Sequence, residues 1–225
     1  MSDMLRQLMD NNVILMGIWE TIYMTVISSA FAYLFGLPLG VLLQVTSDTG
    51  IRPKKVLNRV VGFVVNFFRS IPFIILMVAM LPVAKFVVGT ALGNKAVIVM
   101  LVIAAAPYVA RMVESSLNEV DGGVIEAAQA MGANTLQIIW KVLLPEARPS
   151  LLNGATIAMV TILGYSAMAA TIGGTGLGQI AITYGHQRSK DDVIWVCVIL
   201  MVIIVQVIQE IGTRASKVSD RRIQE

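Results

Sequence analysis

Long uncharged runs alternate along the chain with short charged segments. The longest runs cover residues 21–47, 149–187 and 193–209, and about 20 apolar residues suffice to cross a bilayer as a helix. Shorter runs at 70–84 and 96–110 complete the pattern. It predicts an all-α membrane protein with transmembrane helices near 18–45, 60–84, 94–116, 149–172 and 193–213.

The second and third of these spans are short. They must include or closely approach Arg69 and Arg111, which is tolerable because a long arginine side chain near a helix end can reach the headgroups. What remains is an N-terminal segment at 1–16, a loop at 117–148 and a tail at 214–225. We therefore expect one membrane domain at 17–213 and no second, soluble domain.

The first apolar run resembles a signal peptide, and Ala30-Phe31-Ala32 mimics a cleavage site. The run continues unbroken to Val45, however, which is too long for the apolar core of a signal peptide. The sequence predicts a retained helix.

Composition agrees with a lipid environment. The chain is 56% hydrophobic and 14% charged, against roughly 25% charged in a typical soluble domain, and its mean hydropathy is +0.78. Cys197 and His186 are the sole cysteine and histidine, which excludes a disulfide framework and a clustered metal site. The net charge of +3 comes from basic residues that flank the spans, so it indicates loop placement and not nucleic-acid binding.

Lysine and arginine are distributed unevenly between the two sides of the predicted helices. One side holds eleven and the other five, so the positive-inside rule places the N-terminus outside and the C-terminus and the loop 117–148 in the cytoplasm. The eleven are Arg52, Lys54, Lys55, Arg59, Arg111, Lys141, Arg148, Arg214, Lys217, Arg221 and Arg222, and the five are Arg6, Lys85, Lys95, Arg188 and Lys190.

The loop contains signals for two short helices joined by a bend. Asp121 can cap the first helix, Gly132 can end it in a left-handed turn, and Asn134 can cap the second. Pro145 is expected to stop the second helix. Four alanines keep the bend slim: Ala127, Ala128, Ala130 and Ala133. Five apolar residues let the second helix lie on the rest of the protein: Leu136, Ile138, Ile139, Val142 and Leu143.

The same loop resembles the EAA signature of ABC importer permeases, which reads Glu-Ala-Ala, three residues, Gly, nine residues, Ile, one residue, Leu-Pro. Here valine replaces isoleucine at Val142. The alternative interpretation is an ordinary amphipathic helix pair; the twenty-residue spacing between two spans favours the resemblance. It implies the type I importer permease fold and a contact with a separate ATPase through Glu126, Ala127, Ala128, Ala130, Gly132, Ala133, Val142, Leu144 and Pro145.

No phosphate-binding loop of the Walker type is present in this chain, because the nearest candidate, at 89–95, has the wrong glycine spacing and lacks the Gly-Lys-Ser/Thr ending. The chain is thus expected to bind no cofactor itself. ATP and Mg²⁺ are expected on the partner ATPase, so the chain is not an enzyme.

A glycine cluster at 173–178 resembles a nucleotide loop only superficially, and is better explained as breaking the fourth helix and turning the chain back. Just before it, Tyr165, Ser166 and Met168 can line and close a passage, with Met168 as the gate. Packing is the alternative for these residues, since methionine also fills gaps between helices. For Arg69, the alternatives are a position facing the vestibule or dimer and a side chain that reaches the headgroups.

Segments 164–168 and 66–74 resemble the methionine-transporter branch of the family. This resemblance implies a homodimeric permease in the bacterial inner membrane, two ATPase subunits, and an extracytoplasmic binding protein or lipoprotein that delivers D- or L-methionine. Import of another amino acid or an osmolyte is the alternative within the family. A self-sufficient channel or ion-coupled carrier is the alternative outside it, with Glu20 and Glu210 as the nearest carboxylates for a coupling ion.

Overall fold

The computed structural model describes residues 3–220, which form helices and turns and contain no strand. The prediction of an all-α protein is therefore confirmed. Arg221 and Arg222 of the charge count lie outside the described residues, as do residues 1 and 2 of the predicted N-terminal segment and 221–225 of the tail. The α-helices are α1 Asp3–Asp10, α2 Val13–Thr46, α3 Lys55–Ser70, α4 Phe73–Ala79, α5 Leu81–Val88, α6 Asn94–Asn118, α7 Gly122–Ala130, α8 Thr135–Ile138, α9 Leu144–Glu146, α10 Arg148–Met168, α11 Leu177–Ile180 and α12 Asp191–Ser219.

Four single helices are long and apolar enough to cross a membrane: α2, α6, α12, and α10 with the 3₁₀ turn that extends it to Ile172. A fifth candidate span is the pair α3 and α4, which is bent by 103° at a short break. A helix satisfies its own backbone hydrogen bonds, which lipid cannot do. The chain is thus an integral membrane protein.

The second span differs from the continuous helix predicted near 60–84. The helix breaks before Pro72 and again at Met80, ahead of Pro82 near the start of α5. Proline lacks an N–H donor and disfavours helical geometry in the residue before it, which explains both breaks. By contrast, α2 and α6 continue through Pro38 and Pro107.

Both predicted end segments contain helix. The segment 1–16 contains α1 and the beginning of α2, which are separated by Asn12 with a φ of 56°. At the other end, α12 continues to Ser219, well into the predicted tail. An exposed i,i+4 ion pair between Arg214 and Glu210 lies on this extension, and such a pair contributes about 0.3–0.5 kcal/mol.

The chain divides into two compact units. In the first, an apolar core forms where α11 and α12 pack on the N-terminal helices, around Leu8, Ile14, Leu177, Ile180, Val193 and Cys197. In the second, Leu43 of α2, Val65 of α3 and Ala110 of α6 form a smaller core. The first unit comprises the described residues up to Phe31, Ile71–Ala104 and Met159–Gln209, and the second comprises Ala32–Ser70, Ala105–Ala158 and the described residues from Glu210.

Two glycines bring α2 and α6 close together in the second unit. A Cβ added to Gly36 would lie 2.7 Å from Val109 Cβ, and one added to Gly40 would lie 2.5 Å from the carbonyl oxygen of Ala110. The glycine pair is therefore used for packing within one chain, as small residues are at membrane helix contacts.

Candidate functional site

The first half of the loop is a helix with a complete cap at each end. The Gly123 N–H donates to Asp121 Oδ1 at 2.6 Å, which satisfies an otherwise unpaired donor of α7. At the far end, Gly132 has a φ of 79°. Its N–H donates to the Gln129 carbonyl at 2.9 Å, and the Ala133 N–H donates to the Ala128 carbonyl at 3.1 Å. This pair of bonds is a Schellman motif, and the predicted roles of Asp121 and Gly132 are confirmed.

The second half begins with a capping box. The Gln137 N–H donates to Asn134 Oδ1 at 2.9 Å, and the Asn134 N–H donates to Gln137 Oε1 at 2.8 Å. Each side chain thus satisfies the other residue's backbone. The predicted cap at Asn134 is confirmed.

The prediction that Pro145 stops this helix is wrong. After α8 the chain winds into a π-helical segment, Ile139–Leu143, and then into α9, which contains Pro145 and ends before Ala147. Within this stretch the Leu144 N–H donates to the Ile139 carbonyl five residues back. The wider turn arises where proline cannot supply the usual i→i−4 donor.

Burial separates an inner and an outer face of the loop. Ile138 and Leu143 are fully buried, as predicted, and Ala128 is buried as well. Leu136 was predicted to lie on the rest of the protein, but it is 67% exposed. Among the predicted contact residues, Glu126, Ala127, Ala130, Gly132 and Pro145 are exposed, and Ala133, Val142 and Leu144 are half-buried.

Sequence reasoning missed the apolar part of the outer face. Met131 is 82% exposed, and Trp140 is 67% exposed, one helical turn beyond Leu136. The four-residue spacing of Leu136 and Trp140, out of phase with Ile138 and Leu143, was the available signal. We call Met131, Leu136 and Trp140 the loop apolar patch.

Three of the predicted translocation residues lie at the end of α10, in the first unit. Tyr165 stacks on Phe73 with ring centroids 4.0 Å apart and planes 6° apart. Ser166 is buried, and its hydroxyl donates to the Leu163 carbonyl at 2.7 Å. Met168 is 50% exposed. Of the three side chains, Met168 has the most surface available to a solute.

Arg69 belongs to the second unit, in the last turn of α3, and its side chain is exposed. It lines an open cavity with residues of α6 and α10. The assignment of Arg69, Tyr165, Ser166 and Met168 to the translocation pathway stays a prediction, as does the set of contact residues in the loop.

The glycine turn after α10 is fixed by side chains distant in sequence. Gly173 and Gly176 have φ of 88° and 94°, so the turn reverses the chain as predicted. The Gly176 N–H donates to the Glu20 carboxylate at 3.1 Å, and the Leu177 N–H donates to Thr21 Oγ1 at 2.9 Å. Asn94 links the two sides: its amide donates to Glu20 at 3.4 Å, and its carbonyl oxygen accepts from Thr175.

Comparison with known protein families shows to which family the chain belongs. Residues 36–225 match the family of binding-protein-dependent transport system inner membrane components. This chain belongs to that family. The matched range contains the entire EAA-like loop and the glycine turn.

Relatives of this inner membrane component carry more specific names. The probable D-methionine transport system permease protein MetI of Vibrio cholerae is 49% identical over 214 residues, which is 95% of each chain. The D-methionine transport system permease protein MetI of Escherichia coli is 54% identical over 152 residues, 68% of this chain and 70% of the relative.

A solved structure of the MetNI methionine ABC transporter in an inward-facing conformation superimposes on this inner membrane component with a TM-score of 0.93. The two are 47% identical in sequence, and the match covers 98% of this chain and 100% of the solved one. The predicted type I ABC importer permease fold is confirmed.

Proposed function

We propose that this chain, with a second copy of itself, forms the translocation pathway of an ATP-driven importer for D- and L-methionine. Two separate ATPase subunits bind ATP and Mg²⁺, and an extracytoplasmic binding protein delivers the substrate. The permease itself changes no covalent bond. The names of its relatives and of the matching transporter support this cargo.

The loop apolar patch carries the proposal. Three helix ends in the loop are capped from within it, through Asp121, Gly132 and Asn134, so the loop needs no partner in order to form its helices. Its buried side anchors it through Ile138 and Leu143. An ordered element that leaves large apolar side chains exposed is typical of a protein-binding surface, and an ATPase groove is the partner that the EAA-like pattern implies.

Coupling requires the ATPase to contact two permease states differently. ATP binding closes the ATPases, their grooves draw the paired loops together, and the permease opens outward to receive substrate. Only such a difference in contact free energy can drive uphill import.

The proposed orientation has the loop in the cytoplasm and the N-terminus outside, following the uneven distribution of basic residues. Cys197 is the sole cysteine and is buried, so single-cysteine labelling is straightforward in a Cys197→Ala background. In intact spheroplasts a membrane-impermeant maleimide should label Lys95→Cys and spare Lys141→Cys. The reverse result would contradict the orientation.

A self-sufficient ion-coupled carrier is less well supported. Glu20 accepts hydrogen bonds from Gly176 and Asn94, and Glu210 pairs with Arg214 on an exposed helix surface. Both carboxylates therefore have structural partners.

Uptake by reconstituted proteoliposomes tests the proposal. The permease, its ATPase and its binding protein should together accumulate labelled D- and L-methionine in an ATP-dependent way, and the permease alone should accumulate none. Excess unlabelled arginine and choline should not compete. Uptake by the permease alone would support the carrier, and competition by another amino acid at equal strength would reject the methionine assignment.

A further inference from the structure

We propose that an open cavity in the second unit is a binding site for a zwitterionic amino acid on its way through the permease. The site rests on the proposed function for its choice of ligand. It lies among α3, α6 and α10 and has a volume of about 310 Å³, which falls in the range of about 300–1,000 Å³ typical of small-molecule sites.

The lining combines the groups that an amino acid needs. Arg69 supplies a positive charge, and Glu119 supplies a negative one. Tyr108 and Asn153 add neutral polar groups. A guanidinium can bind a carboxylate through two parallel hydrogen bonds, and a carboxylate can accept from an ammonium group.

Arg69 is the arginine with charge available for a ligand. The other arginine of the cavity, Arg111, donates to Glu114 at 2.5 Å, to Asn66 Oδ1 at 3.2 Å and to the Gly62 carbonyl at 3.3 Å. Arg69 has no ion pair or hydrogen bond to any residue between 3 and 220. Charged side chains in membrane segments face a polar cavity or a partner and commonly mark a solute pathway.

A buried hydroxyl without a hydrogen-bond partner lies behind one wall of the cavity. Tyr33 Oη is buried and has no hydrogen-bond partner in the described part of the chain. It lies 3.8 Å from the position that a Cβ on Gly154 would occupy, and Gly154 lines the cavity. Leaving a buried hydroxyl unpaired costs about 1–3 kcal/mol, but Tyr33 does not line the cavity, so the site rests on Arg69 and the other lining residues.

Two apolar residues select among amino acids. Met112 and the 45% exposed Ile157 also line the cavity. A methionine thioether is apolar and polarizable and packs well on such surfaces. The site therefore favours an unbranched apolar side chain over a charged one, and Arg69 supplies the group that binds the carboxylate of the ligand.

Photolabelling tests the site directly. The nucleotide-free permease–ATPase complex in nanodiscs is irradiated with a diazirine analogue of L-methionine, and labelled peptides are mapped by mass spectrometry. We expect label within 108–119 and 150–157 that excess L-methionine removes. In Arg69→Gln the label should fall by about tenfold, as expected when a charged hydrogen-bond partner is lost.

The matched control is Arg59→Gln, which removes an exposed arginine from the same helix α3 outside the cavity. Its labelling should equal that of the unmodified complex. If Arg69→Gln fails to assemble, Ile157→Trp fills the cavity from an exposed position and should abolish the label.

Label outside the cavity, or equal label in the Arg69 and Arg59 variants, would overturn the site while ATP-dependent methionine uptake still supports the proposed function. If the complete transporter does not take up methionine, the cargo assignment fails, and the inference fails with it.

Discussion

The loop before α10 and the glycine turn after it are stabilised in different ways, the loop by local caps and the turn by close contacts with distant residues. In the loop, a Cβ added to Gly132 would meet no atom within 4 Å, and the capping bonds come from Asp121, Asn134 and Gln137 within the loop. In the turn, a Cβ on Gly176 would lie 2.6 Å from Thr21 Oγ1, and one on Gly178 would lie 2.5 Å from the Ala167 carbonyl.

The loop is thus suited to binding a partner, whereas the glycine turn is suited to holding two parts of the same chain together. The loop takes its helix caps from its neighbours in sequence and leaves its apolar patch uncovered, so a partner can bind without reshaping it. The turn is held by residues of α2 that lie 156 positions away, so its conformation depends on contacts distant in sequence.

Replacing Gly178 by alanine should strongly destabilise the permease. The new methyl group would collide with backbone, and overpacking of this kind costs up to about 3 kcal/mol. Gly132→Ala should cost only about 1–2 kcal/mol, because its sole penalty is the left-handed backbone. Denaturant unfolding in mixed micelles measures both, and equal losses would contradict the contrast.

Truncating the loop apolar patch should affect docking and not folding. We expect Leu136→Ala with Trp140→Ala to weaken ATPase binding by at least about tenfold, as buried interface anchors do, while the unfolding midpoint stays unchanged. Ile138→Ala is the control on the buried face and should instead cost about 2–5 kcal/mol of stability. Unchanged ATPase affinity in the double variant would show that the patch faces something else.

Glu20→Ala should loosen the glycine turn, because the Gly176 N–H and the Asn94 amide lose their acceptor. Loss of such an acceptor lowers the free energy of unfolding by about 1–3 kcal/mol. Glu20→Gln keeps an acceptor oxygen and should cost less. Hydrogen exchange at the Gly176 amide measures this local effect. Equal exchange in both variants would mean that the carboxylate does not hold the turn.

Asn134→Ala should lower stability by about 1 kcal/mol through loss of a helix cap, and Asn134→Ser should restore most of it. The unfolding midpoint is the measurement. A loss as large as that of Gly178→Ala would show that Asn134 does more than cap this helix.

Helix caps made by neighbouring residues could be predicted from the sequence, and hydrogen bonds between residues far apart in the chain could not. Asp121, Gly132 and Asn134 act within four residues of their partners, so residue type and spacing sufficed to predict their roles. Glu20 and Thr21 bond to residues far along the chain, and nothing in their local sequence indicates this. The cavity could not be predicted from local sequence either, because its lining comes from three helices.

Proline did not predict helix ends consistently. Pro72 and Pro82 coincide with breaks in the second span, while α2 and α6 continue through Pro38 and Pro107. At Pro145 a π-helical turn lets the helix continue. Whether a proline ends a helix depends on whether the freed carbonyl finds another donor, which the surrounding backbone decides.

The most direct test of the coupling role compares two glycines with the same geometry. Gly132 and Gly89 both have a φ of 79°, and neither would bring a Cβ within 4 Å of another atom. Leucine at either position should therefore impose the same backbone strain. We predict that Gly132→Leu abolishes co-purification of the ATPase and methionine uptake, whereas Gly89→Leu retains both at an equal unfolding midpoint. Normal ATPase binding and uptake in Gly132→Leu would show that the loop does not couple the ATPase to the permease.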